Sequence, residues 1–203
     1  DNPMADSSLE NKQITAEVCP QHLFFTDKDY ARLGALIKSN PSIKSEQDRD
    51  ALRKAINDRR IDVIGTDHAP HLLSEKQGGA AKAVSGMPLI QFSLPLMLTL
   101  AEEGILSRTR VVELMCHNPA ILFGIEKRGF IRPGYKADLV LLKKDDWKVE
   151  EKDILSKCGW SPLQGETLKW RVASTWCNGH KVYDGNKVDD AYRVETLRFT
   201  PHK

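Results

Sequence analysis

Asp67, His68 and His71 place one carboxylate and two imidazoles within a few residues of one another. They directly follow residues 61–66, a compact apolar run that predicts a strand buried on both faces, as in parallel sheets. In a barrel of parallel strands, active sites are built where the strands end. A carboxylate at that place can bind a metal ion and also accept a proton from a metal-bound water. The sequence therefore marks Asp67 as a candidate metal ligand and general base.

A simpler interpretation of the same residues stays open at this point. Asp often opens a turn, so Asp67 could cap the loop that follows the strand, and His71 could be an ordinary surface histidine. We expect His68, between them, to have an architectural role. The residue pattern alone does not decide between a metal site and a capped turn.

The elements upstream of Asp67 read as strand, helix, strand. Residues 14–19 are rich in β-formers and stop at Pro20, which predicts a short strand. Residues 45–59 carry apolar side chains at helical spacing, with Ser45 as N-cap and Asp48 three residues on. Strands alternating with helices predict βα units of a parallel sheet, and thus an α/β fold.

Downstream, an apolar stretch at 89–101 predicts a buried helix with Pro95 in its first turns or at a kink. Residues 109–116 predict a further short helix that ends before Asn118-Pro119. From Gly129 the pattern changes to short strand-like runs separated by turns, which predicts a mostly antiparallel β unit. We expect the dense charge run 143–153 to be a solvated loop or a strand edge.

Composition and charge exclude several classes of protein. Of 203 residues, 40% are hydrophobic and 29% charged, which is typical of a soluble globular chain. A net charge of +2 with interleaved signs argues against nucleic acid as a partner. Four separated cysteines without a CxxC pair fit a reducing cytoplasm. No apolar run approaches a membrane span, and the opening residues lack the features of a signal peptide. Without a methionine at residue 1, we expect the chain to begin inside a larger protein.

Several stretches resemble one family in the same order. Gly-Thr-Asp-His-Ala-Pro-His is similar to the signature at the last barrel strand of dihydroorotases, within the amidohydrolase superfamily. The other matching stretches are 17–23 (Glu-Val-Cys-Pro-Gln-His-Leu), 37–44 (Ile-Lys-Ser-Asn-Pro-Ser-Ile-Lys), 118–120 and 134–140. The resemblance implies an α/β fold, the C-terminal part of a (β/α)8 TIM-type barrel plus accessory β-sandwich strands. Residues 1–126 would be the last βα units, and residues 127–203 the accessory region and tail.

The resemblance also implies roles for individual residues. Asp67 would ligate the more buried zinc of a binuclear site and serve as catalytic general base. Asn40 and His71 would bind the substrate, with His71 near its carboxylate. Pro88 would present backbone groups to a dihydropyrimidine ring, although Gly86-Met87-Pro88-Leu89 departs from the family's common Pro-Gly pattern. Glu17 is a weaker, metal-adjacent candidate.

The remaining histidines and the tryptophans are expected to be structural. Gln21 stands where many relatives have histidine, and His22 beside it is expected to be a satisfied polar group. His117 should anchor a helix end, and His180 and His202 should be exposed. The tryptophans, which favour core or interface packing, are Trp147, Trp160, Trp170 and Trp176.

The activity implied is zinc-dependent, reversible cyclisation of N-carbamoyl-L-aspartate to L-dihydroorotate, a small-molecule substrate. The rest of the zinc ligands, a His-x-His pair, a carbamylated lysine and two histidines, would lie upstream. A whole barrel takes about 250 residues, so the missing N-terminal barrel half is an expected partner, and the chain alone is expected to be inactive. A homodimer is a further expectation. The alternatives are another cyclic amidohydrolase, such as an allantoinase or dihydropyrimidinase, and a non-catalytic scaffold.

Overall fold

The computed structural model describes Leu9 and residues 12–200. The polar opening stretch and His202 lie outside these residues, so the expectations for them stay untested. The α-helices and strands, numbered in chain order, are β1 Glu17–Val18, α1 Pro20–Phe24, α2 Tyr30–Leu33, α3 Glu46–Asn57, β2 Val63–Ile64, α4 Gly79–Lys82, α5 Ser93–Glu102, α6 Arg108–Val112, α7 Asn118–Leu122, β3 Leu139–Lys148, β4 Thr167–Cys177 and β5 His180–Tyr183. Short 3-10 turns lie at Asp27–Asp29, Gly34–Ile37, Leu73–Lys76, Ile90–Phe92 and Glu151–Asp153.

Strands β1 and β2 pair in parallel, as the alternating pattern predicts. Glu17 faces Val63 and Val18 faces Ile64, and further ladder bonds run from Asp62 N to Ala16 O and from Gly65 N to Val18 O. Helix α3 connects the two strands. The carboxyl ends of both strands therefore meet at one edge of the pair.

Helix α3 begins where the sequence places its N-cap. The Ser45 hydroxyl accepts from the Asp48 amide at 3.3 Å, and the Asp48 carboxylate accepts from the Ser45 amide at 3.1 Å. This reciprocal capping box satisfies donors that the first turn leaves without an intrahelical partner. The predicted cap is confirmed.

Helix α5 is the buried helix predicted at 89–101. It is preceded by a 3-10 turn, and Pro95 lies in its first turn, where no N–H is needed for the helical ladder. The Thr99 hydroxyl donates to the Pro95 carbonyl at 2.8 Å and accepts from the Lys169 amide at 3.0 Å. Thr99 thus ties α5 to strand β4 of the antiparallel sheet.

The prediction that a helix ends before Asn118-Pro119 was wrong. Helix α6 continues through a π turn, Glu113–His117, directly into α7. The Asn118 amide donates to the carbonyl of Glu113, five residues back, and Pro119 then lies near the start of α7. Because the wider π turn resets the hydrogen-bond register, the missing N–H of proline does not interrupt the helical path.

The last third of the described chain forms an antiparallel sheet in the order β3-β4-β5, as the sequence predicts. The first strand begins at Leu139, later than the change of pattern at Gly129. The first part of the charged run, up to Lys148, lies in β3, which has β4 as its sheet neighbour on one side and is an edge strand within the described residues. Charges on an exposed edge discourage pairing with other chains.

Two hydrophobic clusters make up the core. One lies around β1, α3 and α6 and consists of Val18, Leu23, Ile56, Ile61, Met97, Leu98, Leu100, Leu106, Val111 and Leu114. The other draws on both sides of residue 126 and consists of Phe25, Ile37, Ile43, Met87, Leu89, Phe92, Leu96, Val149, Trp160, Leu163 and Leu168. The βα part and the sheet therefore share a core. All four cysteines are free thiols, and within residues 12–200 no helix is long and apolar enough to cross a bilayer.

Candidate active site

Asp67 lies just beyond the carboxyl end of β2, on the edge that this strand shares with β1. Its backbone adopts the left-handed conformation, with φ +46°. That conformation is uncommon outside glycine, is best tolerated by Asn and Asp, and clusters at functional sites. The carboxylate is exposed and makes no hydrogen bond or ion pair within the described residues. A carboxylate held in this way is available to a ligand.

An open cavity of about 740 Å³ lies at this edge. It brings together Asp67 and Asn40, two of the residues to which the family resemblance gives a role, and adds Glu17 and His22 to its lining. The remaining lining residues are Val18, Cys19, Pro41, Ser42, Lys44, Asp48, Ala51 and Leu52. The ends of both parallel strands and the start of α3 therefore enclose one concave space, the usual form of a small-molecule site.

Glu17 projects across the strand pair onto Gly65. A Cβ placed on Gly65 would lie 2.2 Å from the Glu17 carboxyl carbon. Only a residue without a side chain therefore leaves room for the Glu17 carboxylate in its present position. The negative charges of Glu17 and Asp67 both act on the Cys19 thiol. Burial, followed by these two negative charges, raises the pKa of the Cys19 thiol to about 11, so Cys19 is a neutral thiol at physiological pH.

His71 and Pro88 lie outside that cavity. The His71 carbonyl accepts from the Trp160 indole at 2.8 Å, and its ring Nδ1 lies 3.9 Å from a Glu75 carboxylate oxygen. Pro88 is buried and lines a separate cavity of about 360 Å³, together with His68 and Trp160. The structure thus places Asp67 and Asn40 in one wall, and His71 and Pro88 in the neighbouring loops.

His68 has the architectural role predicted for it. Its Nδ1 accepts from the amides of Leu89 and Ile90, at 3.1 and 3.3 Å, and its backbone pairs with Met87. His68 therefore holds the loop that carries Pro88 against the end of β2.

His22 and Gln21 differ in how well their polar atoms are satisfied. The His22 ring Nε2 lies 3.0 Å from the Pro41 carbonyl oxygen, which fits the satisfied polar group expected from the sequence. Gln21 is 1% exposed, and its Oε1 finds no hydrogen-bond partner within residues 12–200. A buried amide oxygen without a donor is costly, so Gln21 is less well satisfied than His22.

The comparisons with known proteins agree on one family. The sequence model of the amidohydrolase family matches residues 12–182. The chain belongs to the amidohydrolase family. A dihydroorotase of Halobacterium salinarum is 41% identical over 175 residues, covering 86% of this chain and 41% of that protein. A dihydroorotase of Pyrococcus furiosus is 37% identical over 195 residues, covering 96% of this chain and 45% of that protein.

Among solved structures, an L-hydantoinase from Arthrobacter aurescens superimposes on this amidohydrolase with a TM-score of 0.83 at 32% identity. The match covers 88% of this chain and 41% of that one. The chain thus spans about two fifths of the length of the proteins it matches. Its α/β fold is that of the TIM-barrel amidohydrolases, of which it carries a part.

Members of the amidohydrolase family generally use a metal such as zinc. Asp67 fits one position in such a site, since its carboxylate is exposed, unpaired within the described residues and lines one cavity with a second carboxylate, that of Glu17. Within that same part of the chain, no group of three or more His, Cys, Asp or Glu side chains is placed to hold a metal ion. Because zinc sites usually take three or four protein ligands, these residues fit a share of a metal site and do not fit a whole one.

Two charged residues of the cavity escaped the sequence analysis. Lys44 lines the wall and donates to the Ser42 hydroxyl at 2.7 Å, and Asp48 reaches the same wall from the first turn of α3. Lys44 ends the segment 37–44 that resembles the family, so its basic side chain was a usable signal. Asp48 carried no such signal, because its capping role already explained it.

Gly65→Ala tests whether the Glu17 carboxylate contributes to the amidohydrolase site. The added methyl group must displace that carboxylate, while the backbone of residue 65 needs no positive φ. We expect zinc affinity of the full-length protein, measured by chelator competition, to fall roughly tenfold, the lower end of what metal-adjacent partners contribute. Glu17→Gln should produce the same loss. If zinc affinity is unchanged in both variants, Glu17 has no part in the site.

Proposed function

We propose that the full-length protein containing this chain is a dihydroorotase, which interconverts N-carbamoyl-L-aspartate and L-dihydroorotate. The observation that carries this proposal is the position of Asp67, free and exposed beyond the carboxyl end of β2 and in one cavity with Asn40. The relatives named dihydroorotase, at 36–41% identity, support the choice of substrate. Regions 1–126 and 127–203 would be the last βα units of a (β/α)8 barrel and an accessory β-sandwich region.

The rest of the barrel would come from an N-terminal segment outside this chain, which covers only 41–45% of the length of the two dihydroorotases named above. That segment would supply the other zinc ligands, and its packing would cover the open edges of β1 and β2. Zinc bound beside Asp67 would polarise the ring amide and lower the pKa of the attacking water. Self-association into a homodimer is part of the same proposal.

The residues of this chain would then handle the proton and the substrate. In the hydrolytic direction, water adds to the ring amide carbonyl and Asp67 accepts its proton. When the carbon–nitrogen bond breaks, Asp67 transfers that proton to the departing ring nitrogen. Asn40 would hydrogen-bond the substrate within the same cavity, and His71 would approach its carboxylate from the adjoining loop. Pro88 would present its backbone to the ring.

A second candidate function is hydantoinase or dihydropyrimidinase activity on an uncharged ring. The specific observation in its favour is the close superposition on the L-hydantoinase, at 32% identity. A substrate carboxylate separates the two functions, because a histidine placed to meet it gains nothing from a neutral hydantoin. A non-catalytic scaffold would be indicated by loss of the upstream zinc ligands.

The test is a substrate panel on the zinc-loaded, full-length protein. We expect ring opening of L-dihydroorotate with a kcat/KM at least about a hundredfold above that for hydantoin or 5,6-dihydrouracil, because an unpaired polar site penalises analogues that lack the recognised group. The zinc-stripped protein is the control and should be inactive until zinc is restored. Faster opening of an uncharged ring would move the protein to the hydantoinases, and inertness on every ring would make it a scaffold.

A further inference from the structure

Lys76 is a buried ammonium whose hydrogen-bond acceptors, within the described residues, are all backbone carbonyls. Its side chain belongs to the 3-10 turn after the His71 loop and is 3% exposed. It donates to the carbonyls of Gly86, Val84 and Lys38 at 2.7, 2.9 and 3.3 Å. Three donors meet three acceptors, and no carboxylate pairs with Lys76 within the described residues. Burial, and then the positive charge of Lys38, lowers the pKa of Lys76 to about 8.

Burying a charge without a partner of opposite charge costs free energy. Such a charge is retained where the surrounding structure requires it. Apolar side chains of similar length would fill the same volume at lower cost. The described residues offer no stabilising carboxylate that would explain the choice of lysine. The three carbonyls that Lys76 binds therefore indicate its role.

Two of the segments that Lys76 joins carry candidate substrate-binding residues. Lys38 lies two residues before Asn40, and Gly86 lies two residues before Pro88. The two segments also touch directly, since the Gly86 amide donates to the Lys38 carbonyl at 2.8 Å. The Lys76 ammonium thus lies at the junction of the loops that lead to Asn40 and Pro88.

The third segment carries His71. The Lys76 ammonium lies 5.8 Å from the centre of the Trp160 ring, and the Trp160 indole donates to the His71 carbonyl at 2.8 Å. Gly86 has φ +110°, and a Cβ on it would lie 2.5 Å from the Ala69 Cβ and 3.5 Å from the His71 ring. Gly86, which Lys76 holds, therefore packs closely under the His71 loop.

We propose that Lys76 is a positioning residue whose buried ammonium fixes the loops of Asn40, His71 and Pro88 relative to one another and thereby sets substrate affinity. The proposal rests on the function proposed above, in that these three residues bind the substrate. Lys76 itself does not touch the reacting atoms. Its removal should loosen the substrate-binding wall while the strand end that carries Asp67 stays in place.

The experiment compares Lys76→Met with Lys82→Met in the zinc-loaded, full-length protein. Methionine keeps the length of the side chain and removes the donors, and Lys82 is an exposed lysine at the end of α4, six residues further along the chain. We expect KM for L-dihydroorotate to rise roughly tenfold in Lys76→Met, which corresponds to one lost hydrogen bond to a charged group, with kcat within about threefold of the wild type. Lys76→Arg, which keeps donors, should restore part of the affinity, and Lys82→Met should match the wild type.

Hydrogen–deuterium exchange gives a readout that does not require activity. Lys76→Met should speed exchange in the Asn40, His71 and Pro88 loops and leave β1 and β2 unchanged. If Lys76→Met does not fold, Trp160→Phe takes its place, because it keeps an aromatic ring, removes the donor to the His71 carbonyl and should raise KM several-fold at constant kcat.

Each outcome bears on one proposal or the other. A wild type that is inert on dihydroorotate overturns the proposed function, and the exchange data then decide the positioning role alone. An unchanged KM, or unchanged exchange in the three loops, overturns the role of Lys76. A lower melting temperature with unchanged KM would make Lys76 a structural cross-link only.

Discussion

We expect Asp67→Asn to lower kcat for dihydroorotate ring opening by at least about a thousandfold, within the range that a positioned proton-transfer group contributes. The substitution removes the charge that would bind zinc and the group that would carry the proton. It leaves the backbone undisturbed, because asparagine tolerates the left-handed φ of +46° that residue 67 adopts. Asp67→Ala would add backbone strain to the chemical loss and is the weaker test.

The measurement is steady-state ring opening by the full-length protein, together with its zinc content and melting temperature. Asp146→Asn is the matched control, since Asp146 is exposed and pairs with Lys169 on the antiparallel sheet, where one surface ion pair contributes little. We expect that control to keep wild-type activity. If Asp67→Asn retains more than about a tenth of wild-type kcat, the catalytic interpretation of Asp67 is wrong.

The parts of the site that the sequence predicted depend on local rules. A strand end next to Asp67 follows from an apolar run that stops at a Gly-Thr pair, and the start of α3 follows from the Ser45 cap. Each of these signals lies within a few residues of the feature it predicts. The pairing of β1 with β2 needed one further rule, that strands separated by a helix lie parallel.

Lys76 shows what such rules miss. It stands in a polar, glycine-rich stretch that is typical of an exposed loop, and yet its side chain is buried. Two of its acceptors are the carbonyls of Lys38 and Gly86, which lie 38 and 10 positions away along the chain. Backbone carbonyls are present at every residue, so no pattern of side chains predicts which carbonyls will converge on one ammonium group. Tertiary contact alone determines this burial.

The prediction that a helix ends before Asn118-Pro119 was wrong for a related reason. Proline normally ends a helix because it lacks an N–H and restricts the residue before it. Here the π turn absorbs that defect, and the Asn118 amide reaches the Glu113 carbonyl. The Asn118 side chain also donates to the carbonyl of Asp62 at 2.6 Å. Because Asp62 directly precedes β2, this bond anchors the π turn to that strand. A long-range contact again outweighs the local preference.

His71→Ala should lower kcat/KM for L-dihydroorotate roughly a hundredfold, the value of one or two hydrogen bonds to a charged group, and change kcat/KM for an uncharged ring by less than about threefold. The two effects differ because only the charged substrate offers a carboxylate to the imidazole. His71 is placed for such a role: its carbonyl is held by Trp160, its ring lies over Gly86, and its nearest carboxylate is 3.9 Å away at Glu75.

The selectivity ratio between the two substrates, measured on the same preparation, cancels any loss of folded protein or zinc. His180→Ala is the control, since His180 is exposed on β5 and bonds to Asp189 far along the chain from these loops; it should leave the ratio unchanged. Equal losses on both rings in His71→Ala would mean that His71 supports the loop and does not recognise the carboxylate. Only the sequence relatives named dihydroorotase would then support dihydroorotate over a hydantoin, and the superposition on the L-hydantoinase would stand against them.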